Sequence, residues 1–313
     1  MKIIDRAAYD EIRIWMHRNA REIDLAVWKF LFENGNAEGV LSALSAYQNA
    51  DGGFGNALEP DSWNPGSSPY TTLCAAGKLE AINFTDSNHE IIRGILKFLE
   101  SGAHRTENGW LFNIPGNDAY AHAPWWGYDP EANQTEHLGV TAGLVCFVLK
   151  FAEKKSSLYE MAFSFAEKLL KSFEEPGGKG DMGLTGYRML LEHIVELKLD
   201  DKLNISYLSK NIKKNVDEAI VRDVSQWPEY SVKPSQFIES PESPFYIGNE
   251  DIVEKELDYL IETRPAGGVW GITWSWHENY NKYPKEFAIS ENWWKASIAT
   301  GTMTFLKKFG RIK

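Results

Sequence analysis

Apolar residues recur at helical spacing along nearly the whole chain, in blocks separated by glycine-rich or aromatic corners. Between residues 5 and 32, Ile12, Trp15, Met16, Ile23, Val27, Phe30 and Leu31 predict one long helix or two abutting ones, ended by Gly35. Further helices are expected over 37–48, 69–82, 89–100, 135–151, 158–173, 184–199, 205–221, 251–262 and 291–309, with a poorly formed one near 236–248. Ser68-Pro69 marks one start, a cap-type residue followed by a proline suited to the first helical turn. Strand-type alternation is nearly absent, so the expected class is all-α.

The blocks also repeat. The corners DGGFG, NGW, GKGDMG, SQWPEY and GGVWG each follow an amphipathic helix and precede a more apolar one, at intervals of about 40 to 75 residues. This periodicity predicts about six helical hairpins stacked in a single domain, 1–313, with inner helices near 5–33, 69–82, 135–151, 184–199, 236–248 and 291–309. Connections leaving the inner helices are short (NFTDSN, EKKSS, LDDKLN), whereas those returning to them are mostly long (50–68, 102–134, 222–248, 264–290). One end of such an assembly carries the loops and the N-termini of the inner helices, whose partial positive charge suits an anionic or electron-rich ligand.

YQNADGGFG, ENGWLF and GGVWG resemble the glutamine-tryptophan repeats of the terpenoid cyclase and protein prenyltransferase superfamily. The resemblance implies an alpha/alpha toroid, in which Gln48, Asp51 and Phe54 are scaffold. It also implies an apolar, isoprenoid-type ligand in an aromatic-lined central cavity. The chain departs from the family at its chemistry. It has no Asp-x-Asp-Asp acid motif, no Asp-Asp-x-x-Asp box, and no Asp two residues before Cys74 or Cys146 to begin a zinc site. A fold shared with that family therefore does not by itself supply a reaction.

The charge of -11 argues against nucleic acid, the N-terminal MKIIDRAAYDEIRIWMHRNAR has no apolar core of signal-peptide length, and no apolar run has transmembrane length, so a cytoplasmic protein is expected. No cofactor or metal is called for. Cys74 and Cys146 sit in apolar helical patterns as small core residues. The GxGxxG spacing of Gly178, Gly180 and Gly183 follows a helix rather than a strand, and reads as a corner, not a nucleotide site.

Twelve tryptophans are more than a core needs, and many fall in the long loops. Glu59, Asp61, Asp129, Glu136 and His137 are the candidate catalytic groups. Trp63, Tyr70, His122, Trp125, Trp126, Trp270, Trp274, Trp276, His277 and Trp293 are the candidate binding groups. HAPWWGYD and WGITWSWHEN place aromatic faces beside carboxylates and histidines twice over, as a pocket would. Simpler roles compete: Glu136 as a helix-start residue, His137 as a core histidine, and Trp274 and Trp276 as a plug closing the barrel mouth.

Two uses of such a pocket are open. Aromatic faces can stabilise a carbocation from an isoprenoid while paired acids such as Glu59 and Asp61 move a proton. Alternatively, loop tryptophans stack an oligosaccharide that two carboxylates cleave. A non-catalytic interaction module is the third reading.

Overall fold

The computed structural model describes residues 1–176 and 179–313, with the backbone alone at Asp181. Among the described residues there are helices and loops but no strand, so the all-α class holds. The twelve α-helices are α1 (Arg6–Asn19), α2 (Glu22–Phe32), α3 (Ala37–Ser45), α4 (Pro69–Ala81), α5 (Glu90–Glu100), α6 (His137–Phe151), α7 (Ser157–Glu174), α8 (Gly180–Glu196), α9 (Ser206–Ala219), α10 (Glu250–Thr263), α11 (His277–Lys282) and α12 (Pro284–Lys308). No described helix is long and apolar enough to cross a membrane. Contacts divide the chain into two compact units, a medial one (Leu44–Asn215) and a terminal one (Met1–Ala43 with Val216–Lys313).

The medial unit is organised around α6, which is buried without a break from Gly139 to Leu149 and packs on α4, α7 and α8. Its close approach to α8 depends on two glycines: a Cβ on Gly186 would lie 2.9 Å from the Gly139 Cα. Ser68 caps α4 by accepting from the Thr71 N–H, with Pro69 in the first turn. The DGGFG corner is tied on two sides. Gln48 Nε2 donates to the Gly52 and Ile91 carbonyls, the latter in α5, while the Phe54 N–H donates to Thr72 Oγ1 in α4. Asp51 Oδ1 accepts from the Gly53 N–H and the Ser67 hydroxyl. At the next corner the Trp110 N–H donates to Thr141 of α6, and its ring meets Phe165 of α7 edge-on.

In the terminal unit, α12 packs along α1 and α2, and α11 packs on α12. The chain's two ends meet here. Ile4 pairs with the C-terminal segment in a parallel bridge to Ile312, its N–H donating to the Arg311 carbonyl at 2.8 Å. The buried Arg311 guanidinium donates to the Lys2 carbonyl at 2.7 Å and to Asp258 at 2.8 Å, and also pairs with Glu254.

Of the two forms expected over 5–32, the structure has two abutting helices, separated at Ala20 and Arg21, both in extended backbone. Three expectations are corrected. No α-helix forms over 236–248, where a 3-10 turn at Pro234–Gln236 gives way to irregular turns. Pro241 and Pro244 lack an N–H and bias the residues before them out of helix. α8 starts at Gly180 rather than 184, so four of the six residues of that corner are helix; Gly178 lies outside the described residues. α12 starts at Pro284, seven residues before 291, and α11 occupies part of the expected 264–290 loop. Trp293 and Trp294 are therefore inside a helix, not at its mouth.

Candidate functional site

In the medial unit the long loops 46–68 and 101–136 are laced together. Ser62 and His122 form an antiparallel bridge, in which the Trp63 N–H donates to the Ala121 carbonyl and the Ala123 N–H to that of Asp61. Four buried asparagines hold the rest. Asn64 Nδ2 donates to Asn117 Oδ1 at 3.0 Å, and Asn117 Nδ2 to the Trp126 carbonyl at 2.9 Å. Asn133 accepts from the Phe112 N–H and donates to Asn113, which in turn accepts from the Asp129 N–H. These amides are consumed by the loop backbone, so they fix its shape instead of facing a ligand.

The same reckoning sorts the expected acids. Asp118 Oδ1 accepts from the Tyr128 N–H and Asp129 Oδ1 from the Glu131 N–H; both residues are exposed. Glu136 is half-buried before α6 without capping it; a Cβ on Gly180 would lie 3.8 Å from its Oε1, placing the carboxylate by the start of α8. His137 Nδ1–H donates to the Asn133 carbonyl at 2.9 Å. Burial holds its pKa below the usual imidazole value, so it is neutral at pH 7.

Glu59 and Asp61 differ, being 3% and 1% exposed. The turn before them is strained, with Asn56 and Ala57 both in the left-handed region at φ 55° and 57°. Glu59 Oε1 accepts from the Asp61 N–H at 3.2 Å, and its Oε2 lies 4.0 Å from Cys74 Sγ on α4. Tyr70 is one helical turn before Cys74, hence on the same face. Its ring stands 4.3 Å from that of Trp126, which lies 4.7 Å from Phe112. Trp126 is 4% exposed, and its indole N–H has no partner among the described residues. Thus Tyr70 meets Trp126, Glu59 lies by Cys74 one turn from Tyr70, and the Asp61 and His122 segments join through the loop bridge, with Trp63 half-buried, whereas Trp125 turns outward at 36% exposed. His122 is buried with Nδ1 2.7 Å from the Ala123 carbonyl, which makes Nδ1 the protonated nitrogen.

The remaining candidates belong to the terminal unit. Trp270 is buried and its indole donates to the Leu260 carbonyl in α10. Trp276 is fully buried against Phe287, Trp274 meets Trp294 edge-on at 5.2 Å, and His277 is exposed at the start of α11. Trp293 has a companion that sequence reasoning missed. The Arg21 guanidinium lies 4.9 Å from the Trp293 ring centre, while Arg21 Nε donates to Asp24 Oδ2 at 2.7 Å; both charged residues are buried. Ser297 donates to the other Asp24 oxygen. The i, i+3 spacing of Arg21 and Asp24 was a visible signal, but it is that of any surface helix. A half-open recess of about 270 Å³ lined by Glu11, Ile14, Trp15, Arg18, Asn19 and Gly267 contains none of the expected site residues. Among the described residues no cluster of His, Cys, Asp or Glu could hold a metal ion.

The chain matches no protein-family model, no curated protein and no solved structure. What the site does is thus argued from its own chemistry. Between Lys29 and Lys78, and again between Arg105 and Lys150, the sequence contains no lysine or arginine. The 46–68 loop lies wholly in the first interval and the 101–136 loop in the second from residue 106 onward, with Arg105 near its start and directed to Met161 of α7. The cations that reach these loops, Arg105, Lys97 and Lys168, are engaged by Met161 and by the Ala50 and Glu107 carbonyls, and a diphosphate would otherwise meet acids there.

Proposed function

We propose that the chain binds an uncharged, isoprenoid-type ligand against the Tyr70, Phe112 and Trp126 wall, with Glu59 and Asp61 as the acids that donate or accept its proton. The observation that carries this reading is a pair of buried carboxylates, with Glu59 beside Cys74 one helical turn from Tyr70 of the aromatic wall, in a stretch without lysine or arginine from 30 to 77. Aromatic faces stabilise developing positive charge, and a carboxyl held near them can pass a proton to or from the reacting centre. The reading also takes the hairpins to close into an alpha/alpha toroid, as the repeat resemblance implies, with 3-10 and irregular turns in place of its fifth inner helix.

The oligosaccharide reading is less well supported within this unit. Cleavage of a glycosidic bond needs two carboxyl groups flanking it, about 5 to 10 Å apart. Glu59 and Asp61 come from one turn and approach from one side, while Asp118 and Asp129 are exposed and engaged in turns.

Thermal denaturation against a panel of neutral triterpene precursors and polyprenols, polyprenyl diphosphates, and neutral and acidic oligosaccharides tests the proposal. A ligand that binds only the folded chain raises its melting temperature by mass action. Stabilisation by the neutral isoprenoids alone is expected, and should persist in Glu59→Gln and Asp61→Asn while any turnover falls about 100-fold or more. Stabilisation by sugars alone would overturn it.

A further inference from the structure

The loop that supplies Trp126 to the aromatic wall turns other rings outward. Tyr120, Trp125 and Tyr128 are 42%, 36% and 38% exposed, three of the few large apolar side chains so exposed in the described chain. They are gathered by the hydrogen bonds already described. Asp118 accepts from the Tyr128 N–H and the Tyr120 N–H returns to the Asn117 carbonyl, which sets both tyrosines beside Asp118. Asn113 donates to the Trp125 carbonyl and accepts from the Asp129 N–H, which sets Trp125 beside Asp129. Exposed rings on a backbone this firmly tied are held ready for contact with little ordering left to do on binding.

Their setting is acidic. Asp118, Asp129 and Glu131 are exposed, and none of the three forms an ion pair among the described residues. Neither residues 106–136 nor the 46–68 loop laced to them contain a lysine or arginine; the lysines that reach these segments, Lys168 and Lys97, donate to the Glu107 and Ala50 carbonyls and not to these three acids. Elsewhere on the chain exposed acids do find cations, as Glu11 finds Arg264 and Glu239 finds Lys308.

We infer that this rim is a docking surface for a basic protein segment, in which arginine or lysine side chains stack on Tyr120, Trp125 and Tyr128 while their charges meet Asp118, Asp129 and Glu131. Charge complementarity selects this partner. A neutral glycan gains nothing from the uncompensated acids, and a second copy of the same rim would be repelled by them. Cationic side chains use both features, since aromatic faces attract cations as carboxylates do.

The test is a titration of the full chain, followed by calorimetry, with an Arg-Gly repeat peptide, its Glu-Gly counterpart and a neutral oligosaccharide, at about 50 and 300 mM NaCl. The basic peptide alone is expected to bind, more weakly at the higher salt. Trp125→Ala with Tyr128→Ala, and separately Asp129→Asn with Glu131→Gln, should each weaken it at least tenfold with the melting temperature unchanged. Glu174→Gln with Glu175→Gln, acids removed elsewhere in the same unit, should change it less than twofold. Equal losses in the control variant would reduce the effect to net charge and overturn the inference. Binding of the oligosaccharide in place of the peptide, or self-association abolished by the rim variants, would overturn it too.

Discussion

Glu256 shows how much one residue's setting can decide. It is wholly buried in α10, where its carboxyl accepts from the Ser235 N–H at 2.8 Å and the Ser235 hydroxyl at 2.6 Å. Burial pushes its pKa up to about 7, against the opposing pull of those hydrogen bonds and of Lys233. The folded chain therefore holds this proton more tightly than the unfolded one. The resulting stability is fully present below about pH 4.5 and is lost as pH rises through about 7, on the order of 3 kcal/mol in all. Glu256→Gln keeps an acceptor for the N–H and gives the hydroxyl a donor. Denaturant melts from pH 5 to 8 should show the variant gaining on the parent as pH rises, and a constant difference would refute the account. Nothing in the sequence marks Glu256, because its helical neighbours are those of an ordinary amphipathic helix and its burial is a tertiary fact. The same holds for Asp24, whereas Glu59 and Asp61 stand in a loop whose composition already set it apart.

Among the elements, legibility followed local chemistry. The start of α4 was readable because Ser68-Pro69 is a cap and first turn in any context, and α6 because an apolar run this long has only a buried solution. α11 and the early start of α12 were hidden, since HENYNK and the turns after Pro284 are polar or mixed and gain their helix from packing on each other. Glycines were equally ambiguous in sequence. Gly77 of α4 and Gly186 of α8 both interrupt helices, yet a Cβ on the first meets nothing within 4 Å and on the second strikes the backbone of α6. Gly77→Ala should thus stabilise by up to about 1 kcal/mol through helix propensity alone. Gly186→Val should destabilise by about 1–3 kcal/mol through forced separation of α6 and α8. Guanidinium unfolding of the two variants checks the sign of each.

At the scale of the whole molecule, the chain's contacts gather into two units, and the terminal one is assembled from both ends of the sequence. Repeat spacing alone could not reveal this, because a repeat describes neighbours along the chain and says nothing of how its first member meets its last. The bridge from Ile4 to Ile312, closed by Arg311, holds the first residues against the last by hydrogen bonds. For folding purposes the polypeptide is then a ring that happens to be cut at one point, and the cut can be moved. A permutant that links Lys313 to Met1 through a few glycines and serines and opens at the exposed residues 153–155, between α6 and α7, should fold and melt within a few degrees of the parent. Collapse of that permutant, with one opened at the exposed 200–202 as its companion, would show that the natural order of synthesis matters to the fold. Success would make the joined ends a place to anchor the protein to a surface by a single loop, leaving every long loop of the medial unit untouched.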